Sequence, residues 1–490
     1  MRTWTILRWL KRVYVGVSIV FTTLCLIGFA GGLSLFLLVP EKFPPQIVFK
    51  ADALKSAASD WKRWTHGAPG QRSAHFPPIE QWQGQGAHAV KLPASPGRVV
   101  PVASPPTFLA AIKNAMPGDI IRLAPGTYRL QGRNIAVKNA GLPGKPITVE
   151  AGRLGEVTIE LDMLEGFWIS APYWTFQNLK VRGVCADDSA CEHAFHVVGD
   201  GHHVIIRNNR IQDFNASIKA NGTPVGAGRA FPDHGLVENN SFYASRPRDT
   251  ANPVTSLDMV GVNEWIVRGN LIADFVKKGG DQTSYGAFFK GGGRKNTMER
   301  NLVICAMHLP QKAGARVGLS LGGGGTDASS CRTTPCAAEH AEGVIRYNLI
   351  LHCSDVGIYL NRAASTSIYN NTLYDTLGID VRFGESFAML ANNLLDNRIA
   401  TRDGGSMQQI KNTVASQREF SQWFNDADAA DFSLSGRSEL PRGNPLRAGE
   451  TDFCGHAINS EPLAGAVQTS PTPCRPLQMI PARDKNGKTD

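Results

Sequence analysis

Through the middle of the chain, short apolar runs alternate with polar turns, and almost no stretch carries the three-to-four-residue period of a helix. An asparagine stands immediately before one such run after another. The positions are Asn178 (NLKV), Asn209 (NRIQ), Asn240 (NSFY), Asn270 (NLIA), Asn301 (NLVI), Asn348 (NLIL), Asn371 (NTLY) and Asn393 (NLLD). The intervals are 31, 31, 30, 31, 47, 23 and 22 residues. A period of that size, made of short strands and turns, predicts a β-solenoid. No coil can bury its apolar face alone, but coils stacked about 4.8 Å apart pair their backbones, and asparagines at one corner can hydrogen-bond along the stack. A leucine-rich repeat would need the L-x-x-L-x-L pattern and a tighter period.

Before the ladder, Thr107–Asp119 (TFLAAIKNAMPGD) reads as an amphipathic helix stopped by a Pro-Gly turn, and IIRLAPGTYRL as two short strands around a second one. Residues 40–100 are rich in Pro, Gly and Ala without sustained period and read as a linker or stalk. The expected division is a basic stub and membrane anchor at 1–39, the linker at 40–100, the solenoid at 101–435 and a disulfide-containing tail at 436–490.

Within the solenoid, four coils align on a glycine: GAFFKGG from Gly286, GLSLGGGG from Gly318, GIYLNRA from Gly357 and GIDVRFG from Gly378. Strand alternation turns Ala287/Phe289, Leu319/Leu321, Ile358/Leu360 and Ile379/Val381 inward. Outward then point Phe288/Lys290, Ser320/Gly322, Tyr359/Asn361 and Asp380/Arg382, with Ser256/Asp258 from PVTSLDMVG and His196 from AFHVVG. Polar groups on an outward face ordinarily only meet water. Here lysine, aspartate, tyrosine and arginine share the face with pairs and triples of glycine, which would leave a groove floor that a sugar chain can approach. The inserted segments at about 220–235 and 306–342 would wall it.

The formal charge is +9, and four of the basic residues, Arg2, Arg8, Lys11 and Arg12, precede the first acidic one. The remaining mild excess suits an acidic polymer as partner, and no Lys/Arg cluster of nucleic-acid type is present. Val13–Val39 runs 27 residues without a charge, enough to span a bilayer as a helix. With basic residues on its N-terminal side, the positive-inside rule puts the rest of the chain in the periplasm, tethered to the inner membrane. Cys25 lies in that span. Cys185/Cys191, Cys331/Cys336 and Cys454/Cys474 are spaced as loop-stapling disulfides of an oxidising compartment, and Cys305 and Cys353 as core residues or a fourth bridge.

Over roughly residues 100–435 the chain resembles the right-handed parallel β-helix proteins of the pectate-lyase type, on its asparagine ladder, its PGDIIRLAPGTY opening and its DAADFSLSGRSELPRGNPL close. FFKGGGRKNTMERN is similar to the lysine-bearing strand of polysaccharide lyase family six, the chondroitinase B and alginate lyase group. The resemblance implies β-elimination on an acidic, uronate-containing polysaccharide, with Lys290 as the base. It also implies an Arg-His-Gly on the next coil and a calcium-binding Glu-x-Glu before the lysine. This chain has Ser-Leu-Gly-Gly and Thr283/Tyr285 there, with Arg316 and Arg294 the nearest arginines, so the calcium ligands are not matched.

The candidates are therefore Lys290, Tyr359 and Asp258 for catalysis, and Arg382, Asp380, Asn361, Ser320, Phe288, Arg316, Arg294 and His196 for substrate. Arg382, three coils from Lys290 and so about 14 Å away, is expected to clamp a substrate carboxylate at a neighbouring subsite. No metal-ligand spacing stands out. Three other activities fit the same face: a non-catalytic β-helix that binds a polysaccharide during export or assembly, a hydrolase using Asp258 with Glu264 or Asp281, and a C5-epimerase, for which FPDHG (Phe231–Gly235) offers His234.

Overall fold

At every corner where a ladder asparagine is expected, the backbone must bend from one sheet into the next within two residues while its polar groups stay buried. The computed structural model shows how this is done, and describes residues 76–89, 97–445, 450–458 and 462–468, apart from 227, 311–313 and 324. The residue before each asparagine takes a left-handed conformation: Asn208, Asn239, Gly269, Arg300, Tyr347, Asn370 and Asn392 lie at φ between 51° and 64°. The asparagine then turns its amide along the stack. Asn240 Nδ2 donates to Asn270 Oδ1 at 3.1 Å, Asn270 Nδ2 to Asn301 Oδ1 at 2.9 Å, and so on through Asn348 and Asn371 to Asn393.

The ladder runs from Asn209 to Asn412, which accepts from Asn393. Asn178 is not a rung. It sits at φ 62°, one position earlier, where its Oδ1 accepts from Asn208, and Leu179 fills the rung position instead. A sequence match of Asn-Leu-Lys-Val to Asn-Leu-Ile-Ala cannot reveal that one-residue offset.

Each coil supplies one strand to each of three parallel sheets of twelve, ten and eleven strands. Ile205–Arg207, Arg210–Gln212 and Ala216–Asn221 form one coil, and Leu236–Glu238, Ser241–Tyr243 and Val254–Val260 the next. This all-β architecture is consistent with a right-handed parallel β-helix. The inner column is apolar and in register: Ile206, Val237, Val267, Met298, Ile345, Ile368 and Leu390 stack through seven coils, all fully buried. The helix Pro105–Lys113, capped by Ser104, closes the start of this core with Phe108 and Ile112.

A second apolar layer covers the outside of the eleven-stranded sheet. Phe76, Ile79 and Trp82, from the stretch read as linker, pack there with Phe420 and Trp423 of the helix Gln417–Trp423 and with Phe453 and Val467. Cys185–Cys191 and Cys331–Cys336 are disulfides as expected, and Cys305–Cys353 is a further bridge, between neighbouring coils. Cys454 is disulfide-bonded too. The anchor Val13–Val39, Cys25, Cys474 and the linker up to residue 75 lie outside the described residues. Among the described residues no helix is long and apolar enough to cross a membrane.

Candidate active site

The ten-stranded sheet carries the face of interest. Its register places Trp168, His196, Lys219, Asp258, Phe288, Ser320, Tyr359 and Asp380 in one outward column. Two residues further along the strands, Asn221, Val260 and Lys290 form a second column, as do Asn361, Arg382 and Arg402. The inward residues between them, from Phe195 and Ile218 to Phe289 and Leu321, belong to the core. The alternation expected for the coils from Asp258 onward is therefore the one observed.

Lys290 is the centre of the arrangement. Its ammonium lies 4.6 Å from the Phe288 ring centroid, and its chain crosses Gly323, where a Cβ would meet Lys290 Cδ at 2.8 Å. Burial draws the Lys290 pKa below the ordinary lysine value, assisted by the positive charge of Lys219 and opposed by Asp258 and Glu339. Burial pushes the Asp258 carboxyl up, but Lys219 and Lys290 outweigh it and hold the group ionised below the usual carboxylate range. Lys219 donates directly to Asp258 Oδ2, while the buried Oδ1 makes no hydrogen bond. The centre is thus two lysines sharing one carboxylate. Lys219 was not among the sequence candidates, although Ile218-Lys219-Ala220 repeats the in-out-in alternation of Leu257-Asp258-Met259.

The glycines after Lys290 are not groove floor. Gly291 and Gly292 lie at φ 69° and 77° and make the turn. Gly291 donates to Glu339 Oε2 at 2.9 Å, and Gly293 opens a short strand paired with His340. Gly322 has φ 75°, and a Cβ there would fall 1.7 Å from Asn361 O. Of the glycines on this face, Gly323 is the one whose missing side chain makes room for Lys290.

The two inserted segments do form a wall, and they are tied together. Arg332, in the loop closed by Cys331–Cys336, donates to Asp233 and, at 2.5 Å, to Gly261 O. Its guanidinium lies 4.3 Å from the Phe231 ring centroid, with Arg229 at 5.9 Å from the same ring. His234 is engaged elsewhere: its ring is tilted against His203 at 4.8 Å, and its Nδ1 lies 3.4 Å from Glu264.

Several other candidates are placed differently from a substrate subsite. Ser320 is fully buried and donates its hydroxyl to Gly322 O at 2.6 Å. Arg316 is buried opposite Ser284, six positions along the strand from the level of Lys290, or roughly 20 Å. Arg294 pairs with Glu342 at the surface of the small sheet formed with His340 and Ala363. Tyr359 packs its ring against Val317 and Val356, two coils from Lys290, and its hydroxyl meets Asn361 at 3.3 Å and Arg382 at 3.4 Å. Arg382 is paired with Asp403, and Asp380 with Arg402 at 2.6 Å. Tyr359, Asn361, Asp380 and Arg382 thus make a second polar group further along the face.

His196 anchors the other end. Its Nδ1 meets Glu165 Oε1 at 3.1 Å, its Nε2 meets Asn221 Oδ1 at 2.7 Å, and Trp168 presents a half-exposed ring 4.6 Å away. Burial, helped by His196 and Lys219, pushes the neighbouring His193 down to about 3, so it is neutral. Calcium at the position implied by the lysine motif does not fit: Thr283 is not acidic, Tyr285 packs against Phe288, and Asp281 is paired with Lys277 at 2.7 Å. The donor set Asp452, Cys454 and His456 loses its sulfur to a disulfide.

The Chondroitinase B family model matches residues 102–416 of this chain. Pectate lyase L of Dickeya chrysanthemi is 32% identical over 91 residues, 16% of this chain and 21% of that protein. Pectate lyase L of Dickeya dadantii (strain 3937) is 30% identical over the same length and shares of each chain. The chain therefore covers about a fifth of the length of these relatives. Among solved structures, pectate lyase Pel9A aligns at 18% identity with a TM-score of 0.49, covering 77% of this chain and 97% of that one. A PL6 alginate lyase in complex with a trisaccharide aligns at 14% identity with a TM-score of 0.39, covering 67% and 82%.

Proposed function

The chain belongs to the chondroitinase B family, and from that premise we propose that it is a polysaccharide lyase that cleaves an acidic, uronate-containing polymer by β-elimination, with Lys290 as the base. The observation that carries this reading is a lysine on the outward face of a β-helix whose pKa is lowered by burial and by a second lysine, Lys219. The family and the relatives named pectate lyase support an acidic polymer as substrate.

β-Elimination requires a base for the C5 proton, charge neutralisation at the uronate carboxylate and a proton for the leaving oxygen. An amine with depressed pKa can accept the C5 proton at lower pH than free lysine. Lys219, held by Asp258, provides fixed positive charge two coils and one column away, where a uronate carboxylate could be neutralised. Among the described residues of the next coil, Ser320 is committed to Gly322. The protonated Lys290 is then the group placed to return the proton to the leaving oxygen, which suits a substrate whose proton and leaving group share one face of the ring. Arg229, Arg332 and the half-exposed Trp168 supply basic and stacking surfaces along the groove. The reading includes tethering to the inner membrane by Val13–Val39, supported by 27 residues without a charge.

Incubation with polyuronates should generate the ultraviolet absorbance of a new C4–C5 double bond; hydrolysis, epimerisation and simple binding do not. Absence of that signal with every acidic polymer tried sinks the proposal. The pH profile tests the electrostatics. Lys290 must be neutral to act, so kcat/KM should rise with pH through its lowered pKa. Lys219→Met removes a charge that lowers this pKa and releases Asp258 to raise it, so the acidic limb should move to higher pH. An unmoved limb would show that Lys219 does not act on the base.

A further inference from the structure

We propose that Glu165, His193 and His196 form a binding site for one divalent transition-metal ion of the zinc class at the Trp168 end of the groove. Each residue brings a donor atom, and the three lie within 4.8 Å of one another. Two features of the contacts favour a cation there.

The first is the position of His196 between two acceptors. Asn221 directs its amide nitrogen to Gly222 O at 3.1 Å and so turns its oxygen to His196 Nε2. Glu165 Oε1 faces Nδ1 on the other side of the ring. A neutral imidazole has one N–H and can satisfy one of these contacts. The other then sets a ring lone pair against an acceptor oxygen, of Glu165 or of Asn221, unless a cation lies between them.

The second is His193, whose Nδ1 is buried beside this pair without a hydrogen-bond partner. An imidazolium at His196 would satisfy the first feature but leave His193 Nδ1 unpaired. A metal ion between Glu165 and His196 relieves the first, and His193 brings a further donor within its reach. Asn221 would then play the part that carboxylates and carbonyls commonly play behind ligating histidines, fixing the ring and its tautomer.

Two imidazoles and one carboxylate suit zinc and its neighbours rather than calcium, and they leave a fourth position open. Zinc bonds of about 2.0–2.2 Å place ligand atoms roughly 3.3 Å apart, so side-chain rotations closing up to about 1.5 Å complete the site. Glu165 and His193 are half-buried, which opens the site to solvent. The nearby Lys219 charge is already engaged by Asp258. The open position would take an anionic oxygen of the polymer, three to four coils from Lys290. That last point rests on the lyase reading; the metal site does not.

The full chain, freed of metal by chelation and dialysed against Zn2+, should retain one zinc per chain more than His193→Asn/His196→Asn, and Co2+ should give the visible bands of a four- or five-coordinate ion. Glu165→Gln keeps a hydrogen-bonding group beside His196 and should weaken Zn2+ binding at least tenfold. It stands in if the double variant fails to fold by circular dichroism. Absence of stoichiometric binding by the wild-type chain, or equal stoichiometry and affinity in the variants, overturns the site. Binding is measured without polysaccharide, so a zinc-loaded chain that forms no unsaturated product sinks the lyase reading alone.

Discussion

Lys290→Met is expected to abolish product formation, lowering kcat by about 10²- to 10⁴-fold, the usual worth of a positioned acid–base group, with little change in KM. Methionine keeps the length of the side chain across Gly323 and its contact with Phe288. It also removes a charge that burial disfavours. Stability should therefore stay within about 1 kcal/mol of wild type, which separates loss of chemistry from loss of fold. Lys290→Arg tests the same point from the other side. It preserves positive charge, but a guanidinium does not deprotonate in the working range. It should be as inactive as Lys290→Met, whereas a role in charge neutralisation alone would be rescued. A Lys290→Met enzyme with substantial activity would end the assignment.

Stability should carry the mark of the same group. The folded-state pKa of Lys290 lies below its unfolded value. Between those two values the unfolded chain binds more protons, so stability rises with pH across that window, and the rise should vanish in Lys290→Met.

The parts of this centre that could be read from the sequence are those governed by strand alternation. Asp258, Phe288 and Lys290 follow from their neighbours, because Leu257, Met259, Ala287 and Phe289 can only face the core. Lys219 obeys the same rule, yet its coil lies outside the glycine-aligned set and is followed directly by the inserted segment with Phe231 and Asp233. Glu165 and His193 sit at strand beginnings, where alternation no longer fixes a direction. Arg332 reaches the groove from a loop, and loop contacts carry no period. Ser320 shows the converse limit: its face was legible, but its commitment to Gly322 O depends on Gly322 lying at positive φ. The offset of Asn178 has a similar origin, since left-handed and rung positions both accept asparagine and sit side by side.

The rungs themselves give the largest expected effect on stability. Asn270 Nδ2 donates to Val237 O at 3.0 Å and to Asn301 Oδ1, and its Oδ1 accepts from the backbone and side-chain nitrogens of Asn240 at 2.8 and 3.1 Å. All of these atoms are out of contact with water, as Asn240, Asn270 and Asn301 are fully buried. Asn270→Ala leaves at least two of these partners unsatisfied, each costing roughly 1–3 kcal/mol, so a loss of about 2–6 kcal/mol is expected in chemical denaturation.

Asn412→Ala, at the end of the ladder and part-buried, removes fewer contacts and should cost less than half as much. Asn270→Asp is the sharper test. It points a carboxylate oxygen at Val237 O and Asn301 Oδ1, so the introduced group folds only when protonated and its pKa is raised in the native state. The native chain then binds the extra proton, and stability falls as pH rises above the unfolded value near about 3.9. A solenoid is held by nearest-neighbour contacts between coils, so a lesion at this central rung should also uncouple the coils on either side. Its unfolding transition should broaden or split while that of Asn412→Ala remains single. Equal effects at Asn270 and Asn412 would mean that strand pairing alone holds the coils together and that the asparagines are passengers at the corner.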